Sequence, residues 1–246
     1  MRLKCVACDV LARPVYLSAA HSPHIIDVNL ERFGLHLKPA ELRAKLQSQI
    51  DSAEEEGFYD AILLAYGLCG KATDGLHAGG IPLVIPRAHD CITLFLGDRT
   101  RYEEEFQACP GTYWYVQDFI QRGETEDIPL SIGGNTIVDE EAVYLEYVEK
   151  YGKDNADYLI EVMGAWQDHY ERAAYIDMGL GEGEDVAEKA RRDAEKNGWR
   201  FERLAGDLIL IRRLLYGDWD EKDFLILEPG QQIEMIGGEE VIRANK

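Results

Sequence analysis

Residues 60–65 read Asp-Ala-Ile-Leu-Leu-Ala, and residues 81–85 read Ile-Pro-Leu-Val-Ile. Both are short apolar runs without the polar alternation of a half-buried strand, which is typical of strands buried on both faces of a parallel sheet. The segment between them, residues 66–80, contains five glycines. Because glycine disfavours helix, we predict that this connection is a shaped loop.

The same alternation of short apolar runs with segments of helical period extends in both directions along the chain. Further strands are predicted at residues 3–8, 24–30, 173–177, 199–204 and 224–227. Helices are predicted at residues 10–20, 37–56, 92–108, 139–172 (with an interruption near residues 152–155), 185–196 and 207–216. Strands that alternate with helices form parallel sheets, so the predicted fold class is α/β with mostly parallel, Rossmann-like sheets.

The length of 246 residues allows one large domain or two lobes. The positions of the predicted strands favour two lobes joined by bridging helices. We predict an N-terminal α/β lobe at residues 1–120, a helical bridge at residues 121–169 and a C-terminal α/β lobe at residues 170–246.

The net charge of −20 at pH 7 limits the partners of this chain. So acidic a surface repels phosphate backbones and anionic lipid headgroups, which argues against nucleic acid and membranes as partners. No apolar stretch reaches the ~18 to 20 residues that span a bilayer, and the start of the chain lacks a signal-peptide pattern. We therefore expect a cytoplasmic protein whose five cysteines are reduced, which favours metal binding or thiol reactivity over disulfides.

A thiol or an imidazole follows each of the first four predicted strands. The carboxyl ends of parallel strands share one edge of a sheet, where ligands bind, and neighbouring strands lie about 4.8 Å apart. Thiolate and imidazole are the ligands that zinc prefers, and they also suit iron. The sequence therefore predicts a zinc or iron site whose ligands come from Cys8, His36, Cys69, His89 and Cys91.

Three nearby residues are predicted to support this site. Arg87 would pair with an anionic small-molecule ligand, Asp90 would orient a metal-bound histidine, and Tyr113 would line a substrate pocket. The alternatives are structural: the cysteines fill core volume, Arg87 pairs with a carboxylate, and the aromatic segment around Tyr113 is a plug. No dinucleotide fingerprint, phosphate loop or serine elbow is present. The spacing of the residues assigns no catalytic group.

Several of these motifs resemble the domain-of-unknown-function family numbered 1638. The likeness rests on residues 34–36, 66–70, 82–92, 96–97, 102, 110–113, 206–207, 217–219 and 229–230. Members of that family occur mainly in anaerobic bacteria and archaea, often together with corrinoid-dependent methyltransferases. The resemblance therefore implies a role in one-carbon or methyl metabolism.

Three functions remain open at this point. The first is a metal-dependent enzyme of anaerobic one-carbon metabolism, in which an open coordination position activates a small substrate. The second is a non-catalytic accessory or binding protein for a corrinoid-dependent methyltransferase system. The third is a protein whose cysteines are purely structural. Metal content distinguishes the first two from the third.

Overall fold

The computed structural model describes residues 1–35, 38–69, 71–122, 170–236 and 240–245. These residues form two compact units. The first unit consists of Met1–Glu103, Met178–Leu180 and Ala205–Lys246, and the second of Glu104–Asp177 and Gly181–Leu204. In sequence, the second unit is therefore an insertion within the first.

The described strands and helices alternate along most of the chain. The strands are β1 (Arg2–Cys8), β2 (Ile25–Glu31), β3 (Ala61–Ala65), β4 (Leu83–Pro86), β5 (Thr112–Tyr115), β6 (Arg172–Asp177), β7 (Arg200–Ala205), β8 (Phe224–Leu227), β9 (Gln232–Met235) and β10 (Ile242–Asn245). The helices are α1 (Ala12–His21), α2 (Pro39–Glu56), α3 (Cys91–Leu96), α4 (Arg99–Ala108), α5 (Gln117–Arg122), α6 (Glu184–Asn197) and α7 (Ile209–Tyr216). Within the described ranges, no helix combines the length and apolarity needed to cross a bilayer.

The first unit is built around a five-stranded sheet in the order β2-β1-β3-β4-β8. The strands β2, β1, β3 and β4 are parallel to one another, and β8 runs antiparallel to β4. Both β3 and β4 are buried along their whole length, as their apolar runs predict. The prediction of an α/β fold with a mostly parallel sheet is confirmed.

Helix α2 covers one face of this sheet because its apolar residues recur at helical spacing. Pro39 occupies its first turn, and the helix ends at Gly57, whose φ of 70° is in the left-handed region. The buried stripe of α2 (Leu42, Leu46, Ile50 and Ala53) packs in one core cluster with Val6 of β1 and with Ile62 and Leu64 of β3. Side chains alternate along a strand, so Leu3, Cys5 and Ala7 point to the opposite face of the sheet.

The second unit contains a three-stranded sheet in the order β5-β6-β7, in which β5 and β6 are parallel. The buried side of helix α6 packs against the tyrosines of β5 and β6. Arg172 at the start of β6 is 2% exposed and holds this unit together. It donates to Glu105 at 2.6 Å, to Glu202 at 3.0 Å and to the Thr112 hydroxyl at 2.9 Å.

The two observed units differ from the two predicted lobes, because β8 belongs to the first unit and β5 to the second. Strand β8 of the predicted C-terminal lobe pairs with β4, since its apolar run extends the buried sheet. Strand β5 of the predicted N-terminal lobe pairs with β6. The predicted helix at residues 92–108 is broken at Gly97, whose φ is 76°. Residues 123–169, which include most of the predicted bridge and of the helix at residues 139–172, lie outside the described residues.

The packing of α2 yields a prediction about stability. Replacing Leu46 by alanine should lower the free energy of unfolding by about 2 to 5 kcal/mol, because a fully buried side chain leaves a cavity. Ser48→Ala, on the exposed side of the same helix, should change it by less than about 0.5 kcal/mol. Urea unfolding of the two variants measures the difference. Equal stabilities would contradict the placement of Leu46 in the core.

Candidate functional site

The loops that follow β3 and β4 are in direct backbone contact. The amide of Leu68 donates to the carbonyl oxygen of Ala88 at 2.8 Å, and the amide of Cys69 donates to that of His89 at 3.1 Å. A Cβ atom on Gly67 would lie 2.6 Å from the Cα of Asp90, closer than non-bonded atoms can approach. Glycine at this position therefore allows the two loops to meet.

The β3 loop adopts an unusual backbone conformation at Cys69. Its φ is 44°, and that of Lys71 is 72°, in the left-handed region that side chains disfavour. The hydroxyl of Thr73 donates to the carbonyl oxygen of Gly67 at 3.3 Å and closes the loop. Residues held in such conformations concentrate at ligand-binding and active sites. The conformation at Cys69 therefore makes its thiol a candidate site residue.

Cys8, Cys69 and Cys91 form what we term the thiol cluster. Cys8 is the last residue of β1 and is partly exposed, whereas Cys69 follows β3 and Cys91 begins α3. Cys69 belongs to the core cluster beneath α2, and Cys8 packs against that cluster. Because β1, β3 and β4 are neighbours in the sheet, the three residues lie at its carboxyl edge, and their role as metal ligands stays a prediction.

Burial and nearby negative charge raise the pKa values of Cys69 and Cys91. Burial raises the pKa of Cys91 well above its usual value, and negative charge on Asp90, Cys69 and Cys8 raises it further. Burial, followed by the charge of Asp90, raises the pKa of Cys69 to about 12. Burial also raises the pKa of Tyr66, with Cys8 and Cys69 as the next contributors. Deprotonating Cys69 or Cys91 therefore needs a compensating positive charge.

Of the two predicted histidine ligands, the structure describes only His89. His36 lies outside the described residues. His89 is partly buried, and its ring stacks on that of Tyr102, with 5.8 Å between the centroids and 24° between the planes. Over the ranges that the structure describes, no three side chains among histidine, cysteine, aspartate and glutamate are arranged to hold a metal ion.

Asp90 caps the start of α3, and its predicted role in orienting a metal-bound histidine stays a prediction. Its carboxylate accepts from the amides of Ile92 at 2.9 Å and Thr93 at 3.4 Å, and from the Tyr102 hydroxyl at 3.1 Å. Burial raises the pKa of Asp90, and these hydrogen bonds oppose that rise. Sequence reasoning missed the role of Tyr102, although its place in α4, one helix after Cys91, marked it as a neighbour.

Arg87 and Tyr113, the predicted substrate-binding residues, belong to the first and the second unit respectively. The Arg87 guanidinium donates to the carbonyl oxygens of Glu221 at 2.9 Å, of Glu240 at 3.2 Å and of Ile242. It therefore ties β4 to the C-terminal segments of the first unit, and pairing with an anion stays a prediction. Tyr113 is buried in β5, where it packs against Tyr115, Tyr170 and Trp199.

Comparison with known proteins assigns the chain to a family. The model of the family described as "Protein of unknown function (DUF1638)" matches residues 31–215. The chain belongs to the DUF1638 family. The DUF1638 match includes Cys69, Arg87 and Cys91, whereas Cys8 and β8 lie outside it. Searches of the curated proteins and of the solved structures returned no significant match.

The bonds of Arg87 predict the effect of a conservative substitution. Arg87→Lys should lower the free energy of unfolding by roughly 1.5 to 3 kcal/mol, because lysine cannot reach the same set of carbonyl oxygens. Thermal unfolding measures this loss. Calorimetric titration of small carboxylates into both proteins then tests the predicted anion site. An unchanged melting temperature would contradict the bracing role of Arg87.

The hydrogen bond between Tyr102 and Asp90 predicts a pH-dependent loss of stability. Tyr102→Phe should destabilise the protein more at neutral pH than at acidic pH, because the hydroxyl stabilises the ionised form of Asp90. In both proteins burial raises the pKa of folded Asp90, so its contribution to stability is largest below the unfolded pKa and falls as pH rises. Without the Tyr102 hydroxyl, the free energy of unfolding falls more steeply as pH rises. Urea unfolding from about pH 4 to about pH 8 measures it, and a pH-independent difference would contradict this role.

Proposed function

We propose that this DUF1638 protein binds one zinc or iron ion through the thiol cluster. The supporting observation is the grouping of Cys8, Cys69 and Cys91 at the carboxyl edge of three neighbouring strands, where the two loop backbones meet. In open parallel sheets this edge is where ligands bind. One divalent cation among three thiolates would also offset the negative charge that, after burial, raises the pKa of Cys91.

The proposed site forms when the ion binds. Burial raises the pKa values of the Cys69 and Cys91 thiols, so binding of an ion by their thiolates would release protons. His36, which follows β2 in the sequence, and His89 are both candidates for a fourth ligand. Use of His89 would break its stacking with Tyr102.

Metal content of the anaerobically purified protein tests this proposal. Wild-type protein should carry about one zinc or iron per chain, and Cys69→Ala or Cys91→Ala should lose most of it. Cys5→Ala is the matched control, because Cys5 is also a buried thiol, and burial raises its pKa to about 12. Each substitution removes a small buried group and costs about 1 to 2 kcal/mol of stability. Only loss of a ligand should release the ion.

The raised thiol pKa values give the same experiment a second readout. Apparent metal affinity should rise steeply with pH, since each bound thiolate must first lose a proton. Equal metal content in the wild type, in Cys5→Ala and in both ligand variants would overturn the proposal. Absence of metal from wild-type protein that had been offered zinc or iron would do the same.

We further propose that the site acts in anaerobic one-carbon or methyl metabolism in the cytoplasm. The support for this role is membership of the DUF1638 family together with a cysteine cluster that needs a reducing compartment to stay reduced. An ion with an open coordination position would make the protein an enzyme acting on a small thiol or methyl compound. An ion with four protein ligands would make it a non-catalytic accessory protein of a corrinoid-dependent methyltransferase system.

A further inference from the structure

The outer edge of the first unit's sheet is formed by β2, which pairs only with β1 among the described strands. At the opposite edge, β8 spans Phe224–Leu227, and β10 packs against it. Strand β2 is longer, spanning Ile25–Glu31, and contains neither proline nor lysine. Long edge strands without such residues are open to pairing with another chain.

The backbone groups of β2 divide into an inward and an outward set. The amide of Ile25 donates to the carbonyl oxygen of Met1, so Ile25 and every second residue after it face β1. The N–H and C=O groups of Ile26, Val28 and Leu30 therefore point away from the sheet, and no described residue bonds to them. These outward groups need water or another strand as their partner.

An open groove of about 610 Å³ runs beside these outward groups. It is lined by apolar and polar residues of β1, α1, β2 and the segment before β3: Lys4, Tyr16, Ala19, Ala20, Ile26, Asp27, Val28, Asn29 and Tyr59. Tyr16 is 51% exposed, and Ile25 at the start of the strand is 61% exposed. The edge thus combines backbone groups that have no described protein partner with a partly apolar flank, which a second strand would cover.

The charges on β2 are compensated within the chain. Asp27 pairs with Arg2 at 3.0 Å, and Glu31 lies 3.9 Å from Lys45. These carboxylates therefore add little to the repulsion that a net charge of −20 creates between two copies. The edge is a region of low net charge on a strongly acidic protein.

From these observations we infer that β2 pairs antiparallel with β2 of a second copy of this chain, about a two-fold axis at Val28. This register sets the outward residues opposite one another: Val28 faces its own counterpart, and Ile26 faces Leu30. Antiparallel partners that face each other in this way exchange both backbone hydrogen bonds. No like charges meet, because Asp27 falls opposite Asn29 and Glu31 opposite Ile25.

The pairing joins two five-stranded sheets into one continuous sheet. On the face that carries α1, it places Ile26, Val28 and Leu30 of one copy against Leu30, Val28 and Ile26 of the other. A slip by one residue would set outward groups opposite inward ones. A slip by two would set Asp27 opposite Asp27 or opposite Glu31, so the register centred on Val28 is favoured. This inference does not depend on the proposed metal site, which lies at the carboxyl edge of the sheet.

Mass measurement in solution tests the pairing. Light scattering after size exclusion should give about 56 kDa for the wild type, twice the chain mass of 27.9 kDa. Val28→Pro removes an outward N–H but none of the bonds to β1, and should give the monomer mass. Val28→Lys places a charge at the two-fold axis and should do the same, whereas Val28→Ile should stay dimeric. Circular dichroism of each variant verifies that the fold is retained.

Hydrogen exchange of the wild type provides a second readout. Amides in residues 25–31 should become less protected as the protein is diluted, because the outward N–H groups bond only across the two-fold axis. A wild type of 27.9 kDa at every concentration would overturn the inference. A dimer that persists in both folded Val28→Pro and Val28→Lys would also overturn it, since the contact would then lie elsewhere.

Discussion

The candidate site depends on the close approach of Gly67 to the backbone of Asp90. Any side chain at Gly67 would push the two strand-end loops apart and break the amide bonds of Leu68 and Cys69. With the loops in contact, Cys69 takes its left-handed conformation within electrostatic range of Cys91. The same contact positions Asp90 to cap α3. Glycine at position 67 therefore determines the positions of Cys69, Cys91 and the start of α3.

The sheet strands could be predicted from sequence because burial on both faces leaves an apolar run that needs no partner to be recognised. This explains why β3, β4 and β8 were located to within two residues of their observed bounds. The partner of each strand could not be predicted in the same way. An apolar run such as Phe224–Leu227 fits any sheet edge, and only three-dimensional packing selects β4 over β6. Strand β5 was missed for a related reason, since its aromatic residues suit either a strand or a packed loop.

The placement of three cysteines at one sheet edge could be predicted from the sequence, whereas the contacts of their polar neighbours could not, and their function as a site stays a prediction. The rule that strand ends share one edge was sufficient to group Cys8, Cys69 and Cys91. It could not assign the neighbouring polar residues, whose partners are distant in sequence or are main-chain atoms. Arg87 bonds to carbonyl oxygens, which every residue carries and which therefore leave no mark in the sequence. Asp90 bonds mainly to the amides of its own helix, a capping role that aspartate before a helix commonly fills.

The antiparallel strand β8 has a consequence for the order in which the chain folds on the ribosome. Phe224 pairs with Pro86, more than half of the chain away, so the sheet of the first unit stays incomplete until the last segments emerge. The second unit occupies the middle of the chain and is fully synthesised earlier. Because synthesis proceeds from the N-terminus, the inserted unit is favoured to fold first. Until β8 is synthesised, the edge of β4 that pairs with it has no partner strand. Nascent chains stalled before residue 224 would expose that edge to chaperones or to aggregation.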